Sequence, residues 1–154
     1  MIMNTETFYN TIKDKFNDLK VSMNGNSVFI SKNKSCIVEK TYLMVEVLSV
    51  FQNIGCDDFK LGIQYGDEGG EYYGYGTVNT FETDGVIYTL DGDVDGMHEM
   101  TVADFINRTE DFDDTNDVDG RLMIKNMDGG GDYYGYRGCE YVEVNLKAKV
   151  VIIG

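Results

Sequence analysis

Three aspartates that alternate with other residues form the most metal-like pattern in the sequence. Asp91, Asp93 and Asp95 are followed at once by a glycine, as at the start of a calcium-binding loop, where alternate oxygen ligands converge on the cation. The pattern then fails, because Val102 occupies the position of the bidentate glutamate and only Glu99 is close enough to assist. We therefore expect at most a weak calcium site, with an acidic loop that binds no cation as the alternative.

A loop of glycines, tyrosines and acids occurs twice, at 67–75 and 128–136, with seven of nine residues identical. Glycines permit the positive φ values of a hairpin tip, and tyrosines supply large amphipathic rings suited to protein contacts. The acids and the lack of lysine disfavour phosphate binding. The loops are therefore either anchors for a protein partner or plain hairpins whose tyrosines pack inward. The residues assigned to partner binding are Asp67, Glu68, Glu71, Tyr72, Tyr73 and Tyr75 in the first loop and Tyr133, Tyr134 and Tyr136 in the second.

Charge is concentrated in one part of the 154-residue chain, whose formal net charge is −14. Residues 66–119 contain sixteen acids and one base, Arg108, whereas residues 1–60 contain seven lysines and seven acids. Such a field repels nucleic acid and anionic membranes and attracts basic protein surfaces. We therefore expect a basic protein partner and no direct nucleic-acid or membrane binding; an acidic face that only maintains solubility is the alternative. The further acids assigned to the binding surface are Asp91, Asp93, Asp95, Glu99, Asp111, Asp113, Asp114, Asp117 and Asp119.

Other site chemistries find little support in the residue types. Cys36, Cys56 and Cys139 are odd in number and widely spaced, which is typical of reduced thiols rather than of a disulfide framework. With His98 they would supply four zinc ligands, but no two of them have the short spacing of half a site. The sequence has one histidine and no nucleophile motif, so the usual pairs of nucleophile and general base found in hydrolytic enzymes cannot be assembled from it. We predict that the protein is not an enzyme and has no cofactor, and we place it in the cytoplasm, since no secretory signal or membrane-length apolar run is present.

The elements that would position these residues follow from the apolar spacing. Residues that recur at helical intervals predict three helices, the first with Thr5 as its N-cap, the second starting near Thr41 and the third capped by Thr101. Between the first two helices, Asn24 and Gly25 separate β-like runs and favour a tight hairpin. We predict a three-strand meander there and strands on both sides of each glycine-tyrosine loop.

The similarity between the two loops extends into the flanking sequence. A shift of 61 residues, without a gap, aligns apolar positions in the preceding helix and strand as well as the loops. This common apolar phase favours an internal duplication over a chance match of one loop. The aligned pairs are Leu61 with Leu122, Ile63 with Ile124, Met44 with Phe105, Val45 with Ile106, and Phe51 with Phe112.

We therefore predict an α+β protein in which helices pack on a mainly antiparallel sheet and an αβββ unit is duplicated. Residues 1–40 would form an N-terminal helix and meander, residues 41–100 the first unit with its acidic loop, and residues 101–154 the second unit. A chain of this length buries a sufficient core as one domain, whereas its separate thirds would be marginal alone. One domain overall is the expected organisation.

Composition and size together resemble the small acidic inhibitors that phages encode against host defences, including anti-CRISPR and anti-restriction proteins. The chain is short, has no proline or tryptophan, is rich in tyrosine and aspartate, and has one strongly acidic half. The resemblance implies a non-enzymatic inhibitor that binds a basic nucleic-acid-handling host defence protein by acidic nucleic-acid mimicry, in the host cytoplasm. B-DNA carries one charge per about 1.7 Å, so the net charge of residues 66–119 matches roughly 7–8 base pairs. The alternatives are a structural or self-assembling interaction module, which would form homo-oligomers, and a calcium-dependent binding module.

Overall fold

The computed structural model of the protein describes residues 4–32, 41–66, 73–83, 87–93, 100–109, 120–127 and 133–154, with the backbone alone for 65, 66, 73–83, 87–93, 125–127 and 133–136. The helices are α1 (Thr5–Lys15), α2 (Met44–Ile54) and α3 (Val102–Thr109). The strands are β1 (Lys20–Asn24), β2 (Ser27–Ser31), β3 (Lys60–Gly66), β4 (Tyr73–Thr83), β5 (Ile87–Asp93), β6 (Arg121–Met127), β7 (Tyr133–Gly138), β8 (Tyr141–Asn145) and β9 (Val150–Ile153). The predicted α+β class is confirmed.

The N-terminal elements agree with the sequence except at their boundaries. Asn4, not Thr5, caps α1, and its side chain accepts a hydrogen bond from the Thr7 amide at 2.8 Å. Both residue types cap well, so the spacing alone did not separate them. Helix α2 begins at Met44, three residues after the predicted start. The predicted hairpin joins β1 to β2 with Gly25 at φ 62°, and the third strand of the predicted meander lies outside the described residues.

Helix α3 has the cap that the sequence predicts. The Asp104 amide donates to the Thr101 hydroxyl at 3.1 Å, and the Asp104 carboxylate accepts from the Thr101 amide at 3.0 Å. This reciprocal pair satisfies two amides that a helix start would otherwise leave without a partner. Val102 and Phe105 are buried as predicted, and Ile106 packs against the core.

The strands pair in the order β1-β2-β8-β9-β3-β4-β5-β6-β7. Among the described pairs, β3 with β9 and β5 with β6 are parallel and the other six are antiparallel. The predicted mainly antiparallel sheet is therefore confirmed. The hairpin β1-β2 pairs with the outer edge of β8 through β2. Helix α1 packs against the two strands of this hairpin.

Strands β7 and β8 are two halves of one bent strand, although they stand far apart in the sheet order. Only Cys139 and Glu140 separate them; the Cys139 amide donates to Leu122 on β6 at 2.9 Å, and the Glu140 amide donates to Gly154 after β9 at 2.7 Å. The bent strand thus joins the two ends of the strand series. Six strands, β3, β4, β5, β6, β7 with β8, and β9, form a closed ring.

The segment that leads into α2 pairs with the second unit. The Met44 amide donates to the carbonyl of Gly120, just before β6, at 2.7 Å. The Tyr42 carbonyl accepts from the amide of Leu122 at 3.0 Å. The helix of the first unit is therefore tied to the first strand of the second unit.

The segment that leads into α3 makes the reciprocal contacts. The Val102 amide donates to the carbonyl of Phe59, just before β3, at 3.0 Å, and the Met100 carbonyl accepts from the amide of Leu61 at 2.7 Å. On the strand side, Phe59 and Leu61 lie 61 residues before their counterparts Gly120 and Leu122. On the helix side, Tyr42 and Met44 lie 58 residues before Met100 and Val102. The two units therefore exchange equivalent contacts, while the duplication itself stays a prediction.

This geometry corrects the ungapped alignment of the two helices. A shift of 61 pairs Val45, which is 42% exposed, with Ile106, which packs against the core. A shift of 58 pairs Leu48 with Ile106, both partly buried, and Val47 with Phe105, both fully buried. The ungapped shift is wrong for the helices because the second unit has three more residues between helix start and strand start.

The core is one cluster of buried side chains that extends from α1 and β2 to α2, α3 and the strands of the ring. The first strand of each unit contributes two fully buried side chains, and the helices meet through the rings of Phe51 and Phe105, whose centroids are 5.3 Å apart. Edge-to-face rings at this distance attract beyond their buried area. The largest fully buried side chains are Tyr42, Phe51, Phe105, Ile12, Ile30, Met44, Leu61, Ile63, Leu122 and Ile124.

Candidate functional site

Five strand ends meet at one end of the ring, which we call the loop end. Gly66 at the end of β3 pairs with Tyr73 at the start of β4, and Asp93 at the end of β5 pairs with Thr77, four residues further along β4. Since β5 and β6 are parallel, β6 ends at the same side, where Met127 pairs with Tyr133 at the start of β7. The connections 67–72 and 128–132 therefore leave and re-enter the sheet at the loop end. The connection 94–99 leaves the sheet there but ends at Met100, whose carbonyl accepts from the Leu61 amide at the start of β3, on the opposite side.

The loop end gathers the strand ends that connect to both glycine-tyrosine loops and to the start of the calcium-like segment. The sequence places three acids in 67–72, four in 91–99 and two in 128–132, with no lysine or arginine in these stretches. The structure describes the backbone of Tyr73, Tyr75, Asp91, Asp93, Tyr133, Tyr134 and Tyr136. Asp67, Glu68, Glu71, Tyr72, Asp95 and Glu99 lie outside the described residues. The strand ends alone thus bring together segments that are up to 60 residues apart.

The acidic linker 110–119 is anchored at the opposite end of the ring. It follows Thr109 at the end of α3 and precedes Gly120, whose carbonyl contacts the start of α2. Strand β6 then runs seven residues, about 20 Å at 3.3 Å per residue, to the loop end. The topology therefore divides the predicted acidic surface into two anchored groups. Asp111, Asp113, Asp114, Asp117 and Asp119 belong to this linker and lie outside the described residues.

The two hairpins that carry the tyrosines share one strand register. Tyr75 lies opposite Gln64 in the first hairpin, and Tyr136 lies opposite Lys125 in the second. Both residues of the second pair are 61 positions after those of the first. Nearer the tip the second hairpin has an irregularity, so that Tyr133 is opposite the last residue of β6. The hairpins thus present their tyrosines from equivalent strands with different local geometry at the two tips.

A polar cluster inside the fold joins β3 to the bent strand. The Arg137 guanidinium donates to the Gln64 carbonyl, and the Tyr141 hydroxyl donates to the Gln64 side-chain oxygen at 3.3 Å. Burial raises the pKa of Tyr141, Glu143 adds to this, and Arg137 opposes it. The phenol therefore stays neutral and serves as a donor in a structural link. Sequence reasoning did not find these residues, because 73 and 77 positions separate Gln64 from its two partners.

The described cysteines are structural. Burial raises the pKa of the Cys56 thiol to about 12, with smaller contributions from Asp58 and Asp57, and burial also raises the pKa of Cys139. A protonated thiol is a poor nucleophile and a poor metal ligand. No group of three metal-binding side chains occurs within the described ranges, and Cys36 and His98 lie outside them.

A groove of about 440 Å³ runs between the end of α1 and α2. Its lining combines apolar side chains, including Phe16, Leu19 and Val45, with Asp18 and Glu46. The Lys15 ammonium spans it and donates to the Asn53 carbonyl at 3.1 Å. The groove contains no arrangement of acid, base and nucleophile, and we assign it no chemistry.

Comparison with known proteins leaves function to be inferred from this geometry. The sequence matches no protein-family model, and neither a curated protein nor a solved structure matches the chain. None of the helices in the described ranges is long and apolar enough to cross a membrane. The loop end is the feature that joins the sequence motifs to the fold, and it is the candidate site.

Proposed function

We propose that the protein is a non-enzymatic inhibitor that uses its loop end to bind a basic, nucleic-acid-handling host defence protein. This is the mode of action implied by its resemblance to phage-encoded inhibitors, and the proposed place of action is the host cytoplasm. The observation that carries the proposal is the strand topology, which brings two acid-rich connections and the start of a third, from distant parts of the sequence, to one end of the ring. A convergent acidic surface on a rigid sheet is what mimicry of a phosphate backbone requires.

The charge density supports mimicry. Eight acids and no lysine or arginine lie in the three stretches 67–72, 91–95 and 128–132. The five neighbouring strands whose ends connect to them extend over roughly 19 Å along the curved sheet, at about 4.8 Å per strand. Eight phosphates of B-DNA occupy about 14 Å of the duplex axis. The number of acids in these stretches is therefore close to the number of phosphates over a similar length of the polymer that the partner would normally bind.

The tyrosines supply the part of the contact that salt does not screen. Aromatic anchors carry much of the binding energy of protein interfaces when they occupy the centre of a polar patch. Tyr73 and Tyr133 begin strands that are paired on the sheet, so little backbone entropy is lost when a partner binds. The acids would guide association and the tyrosines would hold the complex.

The test is capture of the partner from host lysate at low salt, followed by release with salt and identification by mass spectrometry. One nucleic-acid-handling enzyme, competed by added DNA or RNA, is the expected result. Two variants with equal charge change separate the loop end from the linker. The loop-end variant carries Asp67→Asn, Glu68→Gln, Glu71→Gln, Asp95→Asn and Asp128→Asn, and the linker variant carries Asp111→Asn, Asp113→Asn, Asp114→Asn, Asp117→Asn and Asp119→Asn.

The loop-end variant should lose capture, and the linker variant should retain it. Capture by the loop-end variant at the wild-type level would refute the assignment of the surface. Recovery of only the protein itself, in a form that salt does not release, would refute inhibition by mimicry and favour the self-assembling module.

A further inference from the structure

The two units differ in what covers one strand edge. Strands β4 and the bent strand β7-β8 are equivalent, since Phe81 opposite Leu90 on β5 corresponds to Val142 opposite Ile153 on β9. The register shift after Val78 on β4 also falls near the bend between β7 and β8. Residues 80–83 of β4 therefore correspond to residues 141–144 of β8.

Strand β2 covers the outer edge of β8. It runs antiparallel to β8, with Val28 opposite Val144 and Ile30 opposite Val142. Strand β9 pairs with the other edge of β8. On β4, strand β3 pairs only with residues 73–77, and residues 80–83 pair with β5 alone among the described strands. No described strand therefore pairs with the side of residues 80–83 that corresponds to the β2 side of β8, and within the described part of the chain its backbone groups have the geometry of an open strand edge.

We propose that residues 80–83 of β4 form a docking edge for an extended, basic segment of a partner protein, which adds antiparallel to β4 as β2 adds to β8. Strand addition satisfies the backbone donors and acceptors of such an edge and selects partners by their alternate side chains. The site lies at the end of β4 opposite the loop end, so it goes beyond the surface proposed above.

The local charge defines the partner. The edge belongs to the stretch 66–119, where Arg108 is the one base among sixteen acids, and Glu82 lies on the edge itself. The acidic linker returns to β6 at the same end of the ring, beside the start of β5. A second copy would bring the same acidic stretch against itself, and like charges on paired strands are destabilising. A segment that alternates basic and β-branched residues complements both charge and backbone.

Amide hydrogen exchange measured by NMR tests this edge residue by residue. The probe is the peptide KVKVKVKV, and its charge-reversed control is EVEVEVEV. In the free protein, two alternate amides of residues 80–83 should be protected by β5 and the other two should exchange fast. The basic peptide should slow the two fast amides at least about tenfold, and the acidic peptide should leave them unchanged.

Proline variants confirm the side of attachment. Phe81 and Glu82 direct their amides to opposite sides of β4, so one of Phe81→Pro and Glu82→Pro removes the outward donor while keeping the pairing with β5. The variant at the fast-exchanging amide should melt near the wild-type temperature and bind the basic peptide at least about tenfold more weakly. The loop-end variant should bind it unchanged, which separates this proposal from the proposed function.

Each contrary result has a defined meaning. Protection of all four amides in the dilute free protein would show that the chain covers its own edge, and would overturn the proposal. Protection that grows with protein concentration would assign the edge to a second copy. Equal protection by both peptides would refute the requirement for a basic partner. Protection confined to residues other than 80–83 would refute the position of the site.

Discussion

Phe105 should be among the most sensitive positions of the core, because it joins the two units through their helices. Its side chain is fully buried, and its ring meets that of Phe51 with centroids 5.3 Å apart and planes at 72°. Truncation by Phe105→Ala removes the ring and leaves a cavity between α2 and α3. Such changes in other cores cost about 3–5 kcal/mol.

The expected loss follows from the packing. Taking about 4 kcal/mol of destabilisation, and about 2–4 °C of melting temperature per kcal/mol for a chain of this size, we expect a drop of roughly 8–16 °C. The ring pair should contribute a coupling of about 0.5–1.5 kcal/mol in a double-mutant cycle of Phe51→Leu and Phe105→Leu. The measurements are urea unfolding followed by circular dichroism and differential scanning calorimetry.

Val45→Ala is the matched control, because Val45 lies on α2 but is 42% exposed. It should change the free energy of unfolding by less than about 0.5 kcal/mol. A loss below about 1 kcal/mol in Phe105→Ala would contradict the packing of α3 on α2. So would two separate unfolding transitions, since the reciprocal contacts between the units require them to unfold together.

Three further predictions concern single side chains. Thr101→Ala should lower the free energy of unfolding by about 1 kcal/mol, because it removes the acceptor for an amide at the start of α3, and equal stability would refute the cap. Gly138→Ala should cost about 1–3 kcal/mol, because the new methyl would contact the Thr41 side chain, and failure of Thr41→Ala to restore part of that loss would contradict the contact. Because the folded state raises the pKa of Cys56 from 9.0 to about 12, its thiol should react with iodoacetamide at pH 8 about a thousandfold more slowly than in urea, and its contribution to stability should fall as the pH rises from 9 towards 12.

The sequence predicted the local elements better than their assembly. Apolar spacing placed α2 and α3, and the Thr101 cap is confirmed, because these features depend on residues a few positions apart. The ungapped alignment of the two units failed for the helices, because the second unit has three more residues between its helix and its first strand. Such an insertion lies between the elements and leaves the apolar spacing within each of them unchanged, so the sequence pattern does not show it. The parallel pairing of β3 with β9 joins residues 90 apart, and register between distant strands leaves no local pattern.

The candidate surface was predicted in its residues and not in its arrangement. Composition singled out the acids of 67–72, 91–99 and 110–119 as one set. The strand directions bring the first stretch and the start of the second to the loop end and anchor the third about 20 Å away at the start of β6. The sequence could not separate them, because the parallel pairing of β5 with β6 decides which connections share an end. The edge of β4 that no described strand covers likewise emerges only when the two units are compared in three dimensions.

The most direct test of the proposed function is the salt dependence of binding to the captured partner, measured by titration calorimetry for the wild type, the loop-end variant and the linker variant. Mimicry predicts that the logarithm of the wild-type association constant falls steeply with the logarithm of salt concentration. The loop-end variant should bind at least about tenfold more weakly at low salt with a flatter slope, and the linker variant should follow the wild type. Wild-type affinity and slope in the loop-end variant, or loss of binding in the linker variant instead, would contradict the loop end as the inhibitory surface.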